Sequence, residues 1–522
     1  MGKILSTYNK IIVEEITNSI LSNTSQYYAF GGNPVAYGGS VPEVSNNDYD
    51  STFTNNWLMM FGKQLKFSDV APVIKENTWV SNTAYEMYDN TSDTLLANAN
   101  FYVVSPPSDT GGNYHIYKCI DNANNAKSTV NPSSVGDPTQ QTTFQTADSY
   151  KWRYITSISS KNHDKFSSNN HIPVYTNTTI SAAAANYSGV DVVMLSNSGS
   201  GYDTHHTGVI SSVVNATMIQ IASDASGDNG YYVNNAVYIY NTADTTAQLL
   251  DITGYTSNSV GKWISVTSSP NTDNITAGVS LYRISPKVLF NSDGDVDPSA
   301  YTTVNTSTNS IHSVVMIESG SDVSWANVSI QSNSIYGSGA NVYAIVPPAG
   351  GHGFDAVSEL DVKGLGINFS FENTESANIV TSNVVFNKIG IVKNPKSATV
   401  NSVSGVVTEG SIYEQNAFDQ HTQANVSPSY VFTVGEEVVG NTSGSRGFVS
   451  YSNSTQVYII GDQTFSNGEY ITHANGLSVT TIDIKSSPDV YNKNLKPFYL
   501  QTINNTNRAD DQTENFKLII TT

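Results

Sequence analysis

The feature that most constrains this chain is a texture of short strand-like runs, interrupted by turn residues at intervals of about ten residues. From about Asn186 onward, runs of Val, Ile, Thr and Tyr alternate with clusters of Gly, Asn and Ser. β-Branched and aromatic residues suit a pleated sheet, whereas Gly and Asn suit the tight turns between strands. The sequence therefore predicts a mainly β protein that contains sandwich or small-barrel modules.

The charge balance limits the partners that such a protein can have. Lys and Arg number 24 against 44 for Asp and Glu, so the formal net charge is −20. This acidity argues against nucleic acid and against an anionic membrane, both of which are bound by neutralising phosphates. Aromatic residues make up 10% of the chain, which favours a folded protein over a disordered one. The single cysteine, Cys119, predicts no intrachain disulfide.

The N-terminal region has no continuous apolar segment, and the chain has no run long enough to span a membrane. We therefore expect synthesis and assembly in a cytoplasm. Apolar residues at helical spacing predict an amphipathic helix over Met1–Leu21. Two further helical patches are expected at Asn56–Phe61 and from Ser68 through Ile74.

Strands are predicted over most of the remaining chain. In the segment from Tyr150 to Ile158 the alternation indicates one aromatic face and one mostly polar face. Other strands are expected at Asn100–Ser105, Tyr114–Ile120 and Phe516–Thr522.

Two regions look like separate β modules. Val192–Gly201 resembles Val314–Ser321, and each precedes another short strand, which indicates a duplicated β unit. The stretch from about Val400 to Pro488 contains two similar turn-to-strand junctions, at Gly435 and Gly468. It is typical of a small barrel or sandwich.

The search for catalytic and metal-binding motifs predicts no catalytic, cofactor-binding or metal-binding residue. Asp293, Asp295 and Asp297 alternate as calcium ligands do, but Pro298 occupies the sixth EF-hand position, so an acidic turn is favoured. His205 and His206 are adjacent and would point to opposite faces of a strand. The glycines around His352 indicate a conformational turn. Carboxylate pairs for glycoside cleavage are invisible in sequence, so a polysaccharide-binding or polysaccharide-cleaving protein stays open.

Several ordered segments resemble the eighth wedge subunit of the baseplate of T-even-like contractile-tailed bacteriophages. Tyr117–Asp121 followed by Asp148–Tyr154 is similar to the family's Tyr-basic-Cys-Leu-Asp and Asp-Gly-Tyr-x-Trp-x-Tyr strands, with Ser149 in place of the usual glycine. The other segments that carry the resemblance are Tyr27–Gly32, Trp57–Lys63, Val70–Ile74 with Trp79, Phe386–Pro395 and Phe516–Thr521.

The resemblance implies a layered β-sandwich body with a few helices in loops. The implied body comprises residues 1–185, 341–400 and 490–522, with inserted β modules at 186–340 and a small inserted β domain at 401–489. It also implies a non-enzymatic virion protein that forms a homodimer, contacts other baseplate wedge proteins and takes part in the rearrangement that triggers sheath contraction. Structural anchors are expected at Trp57, Trp79, Tyr150, Trp152 and Tyr154. The alternative is a carbohydrate-binding or carbohydrate-cleaving tail adhesin.

Overall fold

The fold is given by a computed structural model that covers most of the chain. The residues that the structure describes are 2–35, 56–92, 96, 98, 100–108, 111–134, 139–241, 244–267, 275–332, 337–372, 374–375, 378–379, 381–400, 406–462, 464–473, 478–493, 495 and 497–521. The predicted ends of the first helix and the last strand, Met1 and Thr522, lie outside them.

Helices form a small part of the described chain. The predicted N-terminal helix is confirmed, and it buries Val13 and Ile16. The Asn177 side chain caps a later helix by accepting hydrogen bonds from the backbone of Thr179 and Ile180. The α-helices are α1 (Gly2–Leu21), α2 (Ser160–Phe166), α3 (Thr178–Ala183) and α4 (Ala356–Glu359), and the 3-10 helices are Phe67–Asp69, Pro132–Ser134 and Ala184–Tyr187.

Strands dominate the chain, and the mainly β fold class is confirmed. In the first half they are β1 (Tyr27–Gly32), β2 (Met59–Gln64), β3 (Val70–Lys75), β4 (Tyr102–Ser105), β5 (Asn113–Asp121), β6 (Phe144–Gln145), β7 (Lys151–Ser159), β8 (His171–Pro173), β9 (Val192–Ser200), β10 (His206–Val209), β11 (Ser212–Asn215), β12 (Met218–Gln220), β13 (Ala236–Asn241), β14 (Asp244–Ser257) and β15 (Lys262–Val266). Further along the chain they are β16 (Leu281–Ser285), β17 (Val288–Ser292), β18 (Ser299–Asn305), β19 (Ser310–Glu318), β20 (Ala326–Ile330), β21 (Ser338–Ile345), β22 (Gly364–Phe371), β23 (Thr374–Glu375), β24 (Asn378–Ile379), β25 (Val384–Lys393), β26 (Lys396–Val400), β27 (Val407–Ile412), β28 (Ala417–Asp419), β29 (Thr422–Ser427), β30 (Glu437–Gly440), β31 (Arg446–Ser452), β32 (Gln456–Gly461), β33 (Tyr470–His473), β34 (Ser478–Ser486), β35 (Pro497–Arg508) and β36 (Glu514–Thr521).

The chain divides into two compact units. Unit 1 consists of Met1–Lys10 and Ile74–Lys363, and unit 2 consists of Ile11–Val73 and Gly364–Thr522. This division differs from the domain ranges expected from the sequence, which stay predictions.

Unit 1 is built around two larger sheets. One has the strand order β4-β5-β7-β6, and the other has the order β10-β16-β13-β14-β15-β12-β11. The pairs β9–β21, β17–β20 and β18–β19 complete the unit. The two strands of the predicted duplication, β9 and β19, contribute to one hydrophobic core. The strands that follow them have different partners, because β10 joins the seven-stranded sheet and β20 pairs with β17.

The four-stranded sheet of unit 1 is buried on both faces. One face carries Tyr150, Trp152 and Tyr154 into a core with Tyr117. The opposite face, expected to be mostly polar, contributes Ile155 to a second core and buries Arg153. The expectation of a polar face was therefore wrong, since a strand covered on both sides does not need strict alternation.

Unit 2 contains a five-stranded sheet of order β28-β2-β1-β25-β35 and the neighbouring strands β36-β22-β3. Six further strands close a barrel in the order β29-β32-β31-β30-β33-β34. Two of its strands, β30 and β33, follow the turn glycines Gly435 and Gly468 that the sequence singles out, and both glycines have positive φ.

Two of the three predicted helices are strands in the structure. Met59–Gln64 forms β2 between β1 and β28, where Met59, Met60 and Phe61 are all buried. A continuous apolar run of this kind fits a buried strand as well as a helix. The segment after Ser68 forms only a 3-10 turn before β3. Pro72 disfavours a helix interior there, and Val70, Val73 and Ile74 favour a strand.

Candidate functional site

The main concentration of buried charge in unit 1 is a cluster of four side chains, here called the charge cluster: Lys118, Asp191, His352 and Glu359. Lys118 Nζ donates to Glu359 Oε1 at 2.7 Å and lies 3.3 Å from His352 Nδ1. His352 Nδ1 lies 2.7 Å from the same Glu359 oxygen, and its Nε2 lies 2.8 Å from Asp191 Oδ2. The cluster therefore connects β5, the residue before β9, the loop before α4, and α4 itself.

Three glycines shape the loop that presents His352. Gly350, Gly351 and Gly353 have φ of +84°, +89° and +78°, which are left-handed values that L side chains resist. A Cβ on Gly351 would lie 2.3 Å from the carbonyl oxygen of Ala184. The turn also brings the backbone N–H of Gly353 to 2.6 Å from Glu359 Oε2. The predicted conformational turn is thus present, and it holds a buried histidine.

Burial and mutual attraction act in opposite directions on the two central ionisable groups. Desolvation lowers the pKa of the Lys118 ammonium, and the nearby Glu359 carboxylate counteracts this only in part. Desolvation would raise the pKa of Glu359, but the charges and hydrogen bonds of Lys118 and His352 outweigh it and lower that pKa to about 2. Glu359 is therefore ionised at neutral pH.

The Tyr88 ring completes the environment of the lysine. Lys118 Nζ lies 3.3 Å from the centroid of this ring, which is a cation–π contact. Burial is the largest cause that raises the pKa of Tyr88, and the carboxylate of Glu359 adds to it. The ammonium is thus enclosed by an anion on one side and an aromatic face on another.

A cavity of about 550 Å³ adjoins the charge cluster, and its walls include Tyr88, Phe101, Val346 and Phe354. An ion pair between Lys10 and Asp355 lies at its edge. The side chain of Lys118 is 0% exposed and that of Glu359 is 3% exposed, so neither reaches a solvent-sized molecule in the cavity. The arrangement can hold segments together, but it presents no accessible nucleophile or base at these two residues.

The acidic turn forms a closed structure of its own. Asp293 accepts backbone hydrogen bonds from Ser324 at 2.9 Å and Trp325 at 3.1 Å. Hydrogen bonding by the Ser324 hydroxyl is the main cause that lowers the pKa of Asp293. Asp297 accepts from Ser292, and the backbone of Asp295 pairs with Ser321. Across the ranges that the structure describes, no three His, Cys, Asp or Glu side chains are placed to hold one metal ion.

The adjacent histidines have separate neighbours, as their spacing predicts. His205 Nδ1 lies 3.0 Å from the carbonyl oxygen of Tyr202. His206 stacks on Tyr282 and lies 2.8 Å from its hydroxyl. Both histidines thus contact unit 1 itself.

The expected aromatic anchors lie mainly in hydrophobic cores. Tyr150, Trp152 and Tyr154 are buried, and Trp79 is partly buried with its Nε1 donating to Ser128. Trp57 is partly buried beside a second cavity. Cys119 is fully buried among the same aromatics, and burial raises the pKa of its thiol.

Sequence reasoning missed Lys118, Asp191 and Glu359 as partners of His352. One signal was available, because Lys118 interrupts an otherwise apolar run in β5, and a lysine there must find an anion if it is buried. Its partner is 241 residues away along the chain, so the pairing could not be read from spacing.

No protein-family model and no curated protein matches the chain. Within the described residues, none of the helices combines the length and apolar character needed to cross a membrane.

Proposed function

We propose that this protein is a structural virion protein, a wedge subunit of the baseplate of a contractile phage tail. The observation that carries the proposal is the pairing of the segments that resemble this family. β1 pairs with both β2 and β25, so Tyr27–Gly32 lies between Met59–Gln64 and Val384–Lys393. β5 pairs with β7, which joins the Tyr117–Asp121 motif to the strand of Trp152.

A third set of resembling segments also meets in one sheet. β22 lies between β3 and β36, so the Val70–Ile74 segment and the closing strand share a neighbour although they are more than 400 residues apart. Motifs that are distant in sequence and adjacent in a sheet act as framework residues. This supports a common architecture with the family.

The charge cluster supports a non-enzymatic role. Its lysine and glutamate are inaccessible and paired with each other, and they join distant parts of unit 1. Catalytic groups need access to a substrate, whereas framework groups need burial. In our proposal the protein holds neighbouring wedge proteins and participates in the baseplate rearrangement, without a cofactor and without binding nucleic acid or membrane.

The proposed assembly is a homodimer within each wedge. Mass photometry of the purified protein tests this directly, and we expect a mass of about twice that of the 56.2 kDa chain. Mass spectrometry of purified tail particles should also detect the chain at a fixed ratio to the other baseplate proteins. A monomer that is absent from tail particles would refute the proposal.

The alternative function, a carbohydrate-binding tail adhesin, makes a different prediction for assembly. Tail fibres and spikes are commonly trimeric, so a trimer in mass photometry would favour an adhesin. The observation that favours a saccharide ligand is a tyrosine-rich sheet face in the region of residues 186–340, which is taken up next.

A further inference from the structure

The outer face of the seven-stranded sheet carries three tyrosines and an arginine, here called the tyrosine–arginine face: Tyr238, Tyr240, Tyr301 and Arg283. Tyr238 and Tyr240 lie two residues apart on β13 and therefore share a face. Tyr238 is the direct cross-strand partner of Arg283 on β16. The core of this sheet lies on the opposite face, where Val237, Ile239 and Ile284 are buried.

The three tyrosine rings form a continuous stack. The ring centroids of Tyr238 and Tyr240 are 5.3 Å apart with the planes inclined by 21°. Those of Tyr238 and Tyr301 are 4.4 Å apart and inclined by 15°. The rings are partly exposed, and in the part of the chain that the structure describes their hydroxyl groups make no hydrogen bond. Three unused hydroxyls thus lie along one surface.

Arg283 is the cation of this face and has no anionic partner among the described residues. Its guanidinium carbon lies 5.8 Å from the centroid of the Tyr301 ring. Its Nε is buried without a hydrogen-bond partner in the described structure. The arginine is partly exposed as a whole, so the other guanidinium nitrogens reach solvent. An arginine with unsatisfied donors is well suited to bind a carboxylate through two parallel hydrogen bonds.

The neighbouring ion pair does not neutralise this arginine. Lys287 and Asp251 pair with each other at 2.5 Å near the end of the stack. The local excess is therefore one positive charge, in a protein whose net charge is −20. A ligand with a single carboxylate fits this balance, whereas a strongly acidic ligand would be repelled by the rest of the molecule.

We propose that the tyrosine–arginine face binds an acidic saccharide, with the carboxylate of a uronic-acid unit on Arg283. The tyrosine hydroxyls supply donors and acceptors for sugar hydroxyls, and the aromatic rings supply apolar surface for the C–H groups of the sugar. An acidic peptide would use the arginine but would leave most of the phenol hydroxyls without partners. The inference concerns a sheet outside the framework strands and does not depend on the baseplate proposal.

Isothermal titration calorimetry of the full chain with trigalacturonate, and with neutral galactotriose as the matched ligand, tests the proposal. We expect trigalacturonate to bind at least ten-fold more tightly than galactotriose, because a charge-assisted bidentate contact is worth that much. Arg283→Gln should weaken trigalacturonate binding at least ten-fold. Tyr240→Phe, which keeps the stack and removes one hydroxyl, should weaken it about two- to ten-fold.

Arg446→Gln is the matched control, because Arg446 is an exposed arginine of the barrel that is paired with Glu437. This variant should bind trigalacturonate like the wild type. Melting curves of all three variants establish that they are folded, and if Arg283→Gln does not fold, the Tyr240→Phe result decides.

Three outcomes would overturn the proposal. The first is no binding of trigalacturonate up to about 10 mM, which is weaker than any specific site of this kind. The second is equal binding of trigalacturonate and galactotriose, or binding that Arg283→Gln leaves unchanged. The third is tighter binding of a triglutamate peptide than of trigalacturonate, which would identify an acidic protein segment as the partner.

Discussion

Lys118 illustrates how a single buried cation can connect distant parts of a β protein. An ammonium ion without exposure is costly unless it is paired, and this one is paired with Glu359 and packed against Tyr88. The arrangement is favourable only when all partners are present, because removal of one leaves another charge buried alone. The cluster therefore favours one specific packing of β5 against the His352 loop.

Replacement of the lysine should reveal this dependence. We expect Lys118→Met to lower the free energy of unfolding by about 3–5 kcal/mol, because Glu359 is left as a buried unpaired charge. Urea denaturation followed by circular dichroism measures the loss. The double variant Lys118→Met/Glu359→Gln should lose less than the single variant, since no unpaired charge is left behind.

The control for this experiment is Lys485→Met. Lys485 and Asp483 also form an ion pair, but their side chains are 52% and 57% exposed. Exposed pairs contribute little, so we expect a change within about 1 kcal/mol. Equal effects of Lys118→Met and Lys485→Met would show that the charge cluster does not stabilise the fold.

The pKa of Glu359 predicts how stability depends on pH. In the folded protein this pKa is lowered to about 2, whereas the ordinary value in an unfolded chain is 4.5. Between about pH 5 and pH 2 the unfolded chain takes up a proton that the folded protein does not, so stability falls as pH falls. The Glu359→Gln variant should be less stable at pH 6 and should lose less stability over this window.

Thermal unfolding of wild type and Glu359→Gln at several pH values measures the two slopes. Other carboxylates contribute equally to both proteins, so the difference between the slopes reports on Glu359. Identical slopes would contradict the lowered pKa.

At the scale of elements, the glycine loop before α4 has a sharp steric requirement. We expect Gly351→Ala to destabilise the protein by more than the approximately 1–2 kcal/mol of the left-handed conformation alone, because its Cβ would lie 2.3 Å from the Ala184 carbonyl oxygen. Differential scanning fluorimetry measures the shift in Tm.

Gly230→Ala is the matched control, because Gly230 has φ of +78° and open space around its Cβ position. It carries the conformational cost without the clash. Equal shifts in Tm for Gly351→Ala and Gly230→Ala would mean that the close approach to Ala184 is relieved at no cost.

The sequence predicts strands in this chain better than it predicts the elements near them. The strands at β4, β5, β7 and β36 were located from alternation and β-branched residues. β2 was mistaken for a helix, because Met59, Met60 and Phe61 are all buried and a short apolar run has no diagnostic period. For the candidate site, the turn around His352 was predicted, but its ionic partners come from segments that only the tertiary fold brings together.

The barrel of unit 2 leaves and rejoins its sheet at neighbouring points. The backbone N–H of Asp489 donates to the carbonyl oxygen of Asp419 at 2.9 Å, and Gln420 forms two hydrogen bonds with Val490 at 2.9 and 2.8 Å. Replacing residues 422–486 by a short Gly-Ser linker should therefore leave a folded remainder, because the loop to be closed is short. Circular dichroism and resistance to limited proteolysis test this.

A larger deletion provides the contrast. Replacing residues 417–486 also removes β28, whose Phe418 is buried against Tyr28. We expect this variant to aggregate or to unfold at lower temperature, since the edge of β2 and part of a hydrophobic core become exposed. If the smaller replacement is equally unstable, the barrel is an integral part of unit 2.

At the scale of the whole molecule, the proposed homodimer must form against its own charge. Each chain carries a net charge of −20, so two copies repel each other at low ionic strength. We expect the dissociation constant of the dimer to decrease several-fold between about 0.05 and 0.5 M NaCl, because salt shortens the range of this repulsion from more than 10 Å to a few Å. Sedimentation equilibrium at both salt concentrations measures the change, with sucrose at matched osmolality as the uncharged control. A dimer that dissociates when salt is added would instead have an interface held by ion pairs between the two copies, and an acidic surface would then have to hold enough of its few lysines and arginines at that interface to outweigh the repulsion.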